Sequence, residues 1–282
     1  NWYLYGQLPD IMAADPYYVN RLKDAYWSHP SRLPLYVKPT YVYAIGQVCR
    51  SACAPRPLHL ILNSCSWVDQ ENSREFRYST PEEKRIEAYY ALAAGATGLS
   101  YWWFTPYGQC RGCGADDAAA RALRREIGLL GAELRTAGPV LVRSCPVELP
   151  VTASRYLWVR TLLAGDDTLV VLCVNDDHLC DRNGTVVQPL ENPQLRLQPP
   201  GWLKPADVFE ITSEGTRDVG HATSDAWLSF DLGTVQVTRM LVVTADNNLR
   251  RELQSQYDAK FAGNVKRLLE PARTHGVRAP RQ

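Results

Sequence analysis

A charge surplus of either sign is missing from this 282-residue chain: 31 Lys and Arg stand against 30 Asp and Glu, for a formal net charge of +1. Nothing global therefore steers it toward nucleic acid or an anionic membrane, and neither is expected as a partner. Long apolar runs are lacking too. The longest, such as Leu169 to Val174, have the length of a strand and are far too short to span a bilayer. No secretory leader is recognisable, and the chain opens at Asn1 without an initiator Met, which reads as a mature or truncated product. The five histidines show no metal-ligand spacing, so neither a metal nor a cofactor is expected. What remains is ordinary globular composition, 45% hydrophobic and 22% charged, at a length that suits one large domain or two modest ones.

Eight cysteines are a high number for such a chain. Cys49-x3-Cys53 and Cys110-x2-Cys113 form two close pairs in loop-like sequence. They fit disulfides in an oxidising compartment, free thiols, or a four-thiolate zinc site. The localisation stays open, with a secreted or periplasmic setting slightly favoured.

Along the chain, a short apolar stretch from Ile11 runs into Asp15-Pro16-Tyr17-Tyr18. Val42, Ile45 and Val48 give helix-like spacing over Tyr41 to Cys53. Leu58 to Asn63 is apolar with almost no polar alternation, as in a parallel strand buried on both faces. Thr80-Pro81-Glu82-Glu83 predicts a helix start: Thr80 caps, Pro81 suits the first turn, and Glu83 completes a capping box. Ile86, Tyr89, Tyr90 and Ala93 then share a face, and Gly95 supplies the stop. Gly98 to Phe104 reads as a second buried strand with an aromatic end, and Asp116 to Ala137 as a long helix. This alternation of strands and helices implies a parallel α/β sheet.

The pattern changes after Pro150. Tyr156 to Leu163, Thr168 to Val174, Val208 to Thr212, Trp227 to Leu232 and Val237 to Thr244 are strand candidates separated by turns. The alternation of Trp227, Ser229 and Asp231 with Leu228, Phe230 and Leu232 suits an antiparallel sheet with one wet face. Val151 to Ala245 is accordingly read as a β-sandwich. Asn248 to Glu270 reads as one final helix, and Pro271 to Gln282 as a disordered basic tail.

Three residue groups carry a family resemblance. Asp15-Pro16-Tyr17, Leu58 to Asn63 with Trp67, and the run Arg77 to Glu83, Ala88 to Ala96 and Gly98 to Trp103 resemble the sixth, seventh and eighth units of clan-A (β/α)8 glycoside hydrolases. The enzymes are of the β-galactosidase-like kind, uncharacterised bacterial members included. The resemblance implies an α/β plus all-β chain: residues 1–148 the C-terminal part of a TIM barrel, 149–247 an antiparallel β-sandwich, and 248–282 a closing helix and tail. It also implies that the N-terminal half of the barrel is missing from this chain, and that the substrate is an oligo- or polysaccharide.

Glycoside hydrolysis usually takes two carboxyl groups. In this clan the nucleophile normally ends the seventh strand, where this sequence has Asn63. Asp15, at another strand end, is then the candidate catalytic carboxylate, its bland alternative being a turn cap. Tyr17, Asn63, Trp67, Tyr101 and Trp103 are the candidate substrate-binding residues, the aromatics because flat rings suit the apolar faces of sugars. Neighbours on a strand face opposite ways. Tyr101 and Trp103 are expected inward with Trp102 under the helices, or the reverse. Asp69 and Glu71 read as solvated loop charges, and His59 as a satisfied core residue. Two further functions compete with the hydrolase: a non-catalytic carbohydrate-binding or scaffold protein with a degenerate barrel, and a zinc-stapled interaction protein.

Overall fold

The computed structural model describes residues 5–18, 38–69, 74–181 and 183–270. Expectations for Glu71 and for the tail 271–282 lie outside them, as does the side chain of Asp69.

Three strands form a parallel sheet: β1 (Met12–Ala14), β2 (Leu58–Asn63) and, after two short strands given below, β5 (Gly98–Trp102). Their order is β1-β2-β5, with Ala14 beside Leu60 and Asn63 beside Trp102. Helices α1 (Thr40–Cys53) and α2 (Pro81–Ala93) cover one face, onto which Met12, Ala14, Leu58, Leu60 and Leu62 point. The other face is open among the described residues: Ala13 and Asp15 are exposed there, and His59 and Ile61 are half-buried. The sheet is not closed into a barrel.

Helix α2 starts as its sequence dictates. The Thr80 hydroxyl accepts from the Glu83 N–H at 3.2 Å, and Glu83 Oε2 accepts from the Thr80 N–H at 2.8 Å. The helix ends at Gly95, whose φ of +90° suits a residue without Cβ. The face expected for α1 needs correction. Its buried positions are Val42, Gly46, Cys49, Ala52 and Cys53, while Val48 is exposed.

The loops beyond β2 and β5 build an antiparallel sheet that periodicity does not announce. Strands β3 (Cys65–Asp69), β4 (Arg74–Phe76) and β6 (Cys110–Gly112) are ordered β4-β3-β6. Helix α3 (Ala118–Thr136) follows, capped by Asp117, whose carboxylate accepts from the Ala120 N–H at 2.8 Å.

The remainder is mainly antiparallel. A six-stranded sheet contains Ser144–Val147, Leu157–Ala164, Thr168–Asn175, Thr238–Thr244, Asp207–Thr212 and Gly215–Asp218 in that spatial order. A four-stranded sheet of Val151–Ala153, Leu195–Leu197, Trp227–Asp231 and Gly220–Ser224 faces it across an apolar core that includes Leu169, Val171, Cys173, Leu228 and Phe230. Strand Thr168–Asn175 is buried at every position. Its alternate residues Val170, Leu172 and Val174 join the core that contains α2. The expected single C-terminal helix is two, Leu249–Lys260 and Ala262–Leu269, broken at Phe261.

Candidate functional site

Because the three strands run parallel, Asp15 just past β1, Asn63 at the end of β2 and Trp102 at the end of β5 lie along one edge. This is the edge on which α/β sheets gather ligands.

Asp15 is exposed, and its main-chain oxygen accepts from the Tyr17 N–H at 2.8 Å, which folds Tyr17 back over the strand end. Burial, with Asp15, Cys65 and Cys110 close by, pushes the Tyr17 hydroxyl up to about 12, so it stays protonated and able to donate.

Asn63 is buried, and its amide is turned onto Cys65, the first residue of β3. Its Oδ1 accepts from the Cys65 thiol at 3.0 Å and from the Cys65 N–H at 3.4 Å, and its Nδ2 donates to the Cys65 carbonyl at 3.3 Å. From the helix side, Lys84 Nζ donates to the Asn63 main-chain oxygen at 2.5 Å and pairs with Glu87. Lys84 and Glu87 are both fully buried on α2. Burial raises the Glu87 carboxyl above its ordinary range, with Lys84 opposing.

Of the two orientations open for the aromatic stretch, the structure shows Trp102 outward and Tyr101 under the helices. Tyr101 packs on the core, and burial together with Glu87, Glu126 and Glu133 raises its hydroxyl. It lines a 600 Å³ cleft between β5, α3 and helix Ala262–Leu269, away from Asp15. Trp102 is exposed at the strand end, and its ring stacks on Trp103 at 5.1 Å and 10° between planes. The Trp102–Trp103 peptide is cis. Trp103 donates from Nε1 to the Cys110 carbonyl at 3.1 Å. Trp67 sits on β3 beside Cys110, partly exposed. Asp15, Tyr17, Asn63, Trp67 and Trp103 therefore share one end of the sheet, and Tyr101 stands apart from them.

Two features of this edge depart from the sequence reading or decide between its alternatives. His59 Nε2 and Ser100 Oγ are 2.9 Å apart on the open face, so His59 is a half-buried face residue, not a core one. Trp102 shares that face with Ser100, two residues before it. The polar Ser100 among apolar neighbours was the signal that fixes the parity of the strand.

The close cysteine pairs do not meet. Cys49 and Cys53 lie on α1, while Cys110 and Cys113 lie beyond β5. Among the described residues no three His, Cys, Asp or Glu side chains gather as metal ligands. The zinc-stapled reading, which needs four thiolates together, is set aside on that ground.

No family model and no curated protein matches the chain. Among solved structures it is similar to a Paenibacillus cycloisomaltooligosaccharide glucanotransferase in complex with cycloisomaltoheptaose. The identity is 10%, covering 60% of this chain and 28% of that one, with a TM-score of 0.43. A protein described as a glycoside hydrolase shares 12% identity over 73% of this chain and 46% of its own, with a TM-score of 0.39. An α-L-fucosidase of Bacteroides thetaiotaomicron, trapped as a covalent intermediate, shares 12% identity over 68% and 39%, also at 0.39. The chain spans less than half the length of each. Similarity this shallow carries no functional assignment, which rests on the chain's own residues.

Proposed function

We propose that this chain carries part of a carbohydrate-active site of the glycoside hydrolase type, set on the late strands of a (β/α)8 barrel. Residues 1–148 are assigned to the barrel part, 149–247 to an accessory β-sandwich and 248–282 to the closing helical segment and tail. One observation carries the reading. The exposed Asp15 lies just past β1, and the stacked Trp102–Trp103 pair lies at the end of β5 on the same edge, two strands and so about 10 Å away. A flat indole surface accepts the apolar face of a pyranose. A carboxylate and a protonated phenol beside it accept from and donate to the sugar hydroxyls.

In this reading Asp15 is the catalytic carboxylate and Tyr17 a hydrogen-bond donor to substrate. Trp67, Trp102 and Trp103 form the aromatic rim. Asn63 supports the start of β3, because its amide is already engaged with Cys65. Tyr101 supports the fold from the helix side. Hydrolysis by acid and nucleophile needs a second carboxyl group. Among the described residues the three strand ends offer only Asp15. The partner carboxylate is assigned to barrel strands outside this chain.

A panel of neutral oligosaccharides titrated against the chain tests the proposal through tryptophan fluorescence and calorimetry. A ligand whose binding weakens on both Asp15→Asn and Trp102→Ala supports it. A panel that leaves the fluorescence unchanged overturns it. Aryl glycosides incubated with the same preparation should not turn over. Turnover abolished by Asp15→Asn would place two carboxylates in this chain and remove the divided site.

A second reading, a non-catalytic carbohydrate-binding protein, is favoured by Asn63 standing where the resembled enzymes carry a nucleophile. It differs in one outcome: binding that depends on Trp102 but is indifferent to Asp15→Asn.

A further inference from the structure

The sequence pairs Cys110 with Cys113 by proximity, but the fold pairs it with Cys65. Strand β3 runs antiparallel to β6 with Cys65 opposite Gly112 and Trp67 opposite Cys110, so Cys65 and Cys110 lie diagonally on one face. The Cys65 and Cys110 sulfurs are 3.1 Å apart. Cys113 is also within electrostatic reach of Cys65, and its N–H donates to the Trp103 carbonyl at 3.0 Å.

We propose that Cys65 and Cys110 form a reversible dithiol–disulfide pair at the rim of the strand-end site, oxidised by a small-molecule disulfide such as oxidised glutathione. Closure needs the sulfurs to approach by about 1 Å, to a bond of about 2.05 Å. Cys110 is the half-exposed partner and Cys65 the buried one. Burial holds the Cys65 thiol well above its usual range, with Cys110 adding to the effect, so Cys65 does not begin the exchange. The Cys110 thiolate attacks one sulfur of glutathione disulfide. That S–S bond breaks, and a glutathione thiolate leaves with the electron pair and takes a proton from solvent. Cys65, giving its proton to solvent, then attacks the Cys110 sulfur and expels the second glutathione. Two protein thiols become one disulfide, and one glutathione disulfide becomes two thiols.

The bridge has a local consequence. The Cys65 thiol donates one of the two hydrogen bonds received by Asn63 Oδ1. Oxidation removes that donor and leaves the amide oxygen with one partner. The redox state of the pair thereby sets how firmly Asn63 is tied to the start of β3.

The test maps cysteines by mass spectrometry after the reduced chain is incubated with oxidised glutathione and alkylated under denaturing conditions. Exposed Cys145 serves as the internal control, taking up glutathione at an accessible site. A Cys65–Cys110 linked peptide, retained in Cys113→Ser, is the expected result. In Cys65→Ser the exchange should stall with glutathione on Cys110. A Cys110–Cys113 link would overturn the assignment. So would alkylation of both Cys65 and Cys110 under conditions that glutathionylate Cys145. None of these outcomes depends on sugar binding, so the pair stands or falls separately from the proposed carbohydrate site.

Discussion

Lys84 donates its ammonium to the main-chain oxygen of Asn63, reaching up from α2 to fasten the last residue of β2. A fully buried ammonium is costly unless paired, and Glu87 supplies the countercharge one helical turn on. Glu87 Oε1 has no hydrogen-bond partner among the described residues. The pair therefore stabilises the strand end only as a unit.

Lys84→Met should destabilise the chain by about 4 kcal/mol, since it strands Glu87 as a buried carboxylate. Lys84→Met combined with Glu87→Leu should recover much of that loss. Urea unfolding of the single and double variants measures the coupling, and strictly additive losses would contradict the pairing.

The pH dependence follows from the raised Glu87 carboxyl. A folded-state value above the unfolded one means that the native state binds the proton more tightly. The group's contribution is then fullest below the unfolded value and is lost as pH rises through the folded value. With Lys84 removed the folded value climbs further. The defect of Lys84→Met should accordingly shrink between pH 7 and pH 5, read as converging urea midpoints for variant and parent.

Thr80→Ala removes an acceptor for the Glu83 N–H and should cost about 1 kcal/mol. Thr80→Ser keeps the acceptor and should cost much less. Thermal unfolding of the two variants separates them, and equal losses would point to the methyl group instead of the cap.

Gly112→Ala tests the packing of β6 against the aromatic loop. A Cβ there would lie 2.3 Å from the Trp103 carbonyl oxygen, a main-chain atom that cannot step aside alone. The expected cost is about 2 kcal/mol. The accompanying loss of near-ultraviolet circular dichroism from the stacked indoles should exceed that caused by Gly108→Ala, where a Cβ meets nothing within 4 Å, although φ there is +89°.

Trp102→Ala should lower affinity for a bound oligosaccharide by about 1 kcal/mol, roughly fivefold. Tyr101→Phe should leave it unchanged, because the hydroxyl lies among helix side chains. Calorimetric titration distinguishes these. An effect of Tyr101→Phe matching that of Trp102→Ala would reverse the assigned faces.

Much of the parallel sheet was legible because its signals are local. The apolar run from Leu58, the box at Thr80 and the stop at Gly95 each act within a few residues. The β3–β6 ladder was not, since Cys65 meets Gly112 across more than forty residues and neither strand is long enough to show a period. Val48 departs from its expected place on the buried face for a different reason. The buried position on α1 belongs to Gly46, where a Cβ would come within 2.7 Å of the Ala94 Cβ, and a glycine emits no hydrophobic signal. The break at Phe261 likewise has no proline or glycine at the kink itself. At the site, Asp15 and Asn63 could be placed at strand ends from sequence. That Asn63 turns its amide onto Cys65 is a local contact, two residues along the chain, of the kind an Asn makes at a turn; its burial beneath Lys84 of α2 is the tertiary part.

Strand Thr168–Asn175 ties the antiparallel part to the helices through Val170, Leu172 and Val174, and neighbouring strands add Phe209, Met240 and Val242 to the same side. Cut at residue 149, the C-terminal part would lose the α2 side of this core and expose apolar side chains such as Val170, Leu172 and Val174, the kind of patch that drives self-association. It is thus not a portable cassette. Joined to a different partner, it would need a matching helical surface to cover that face.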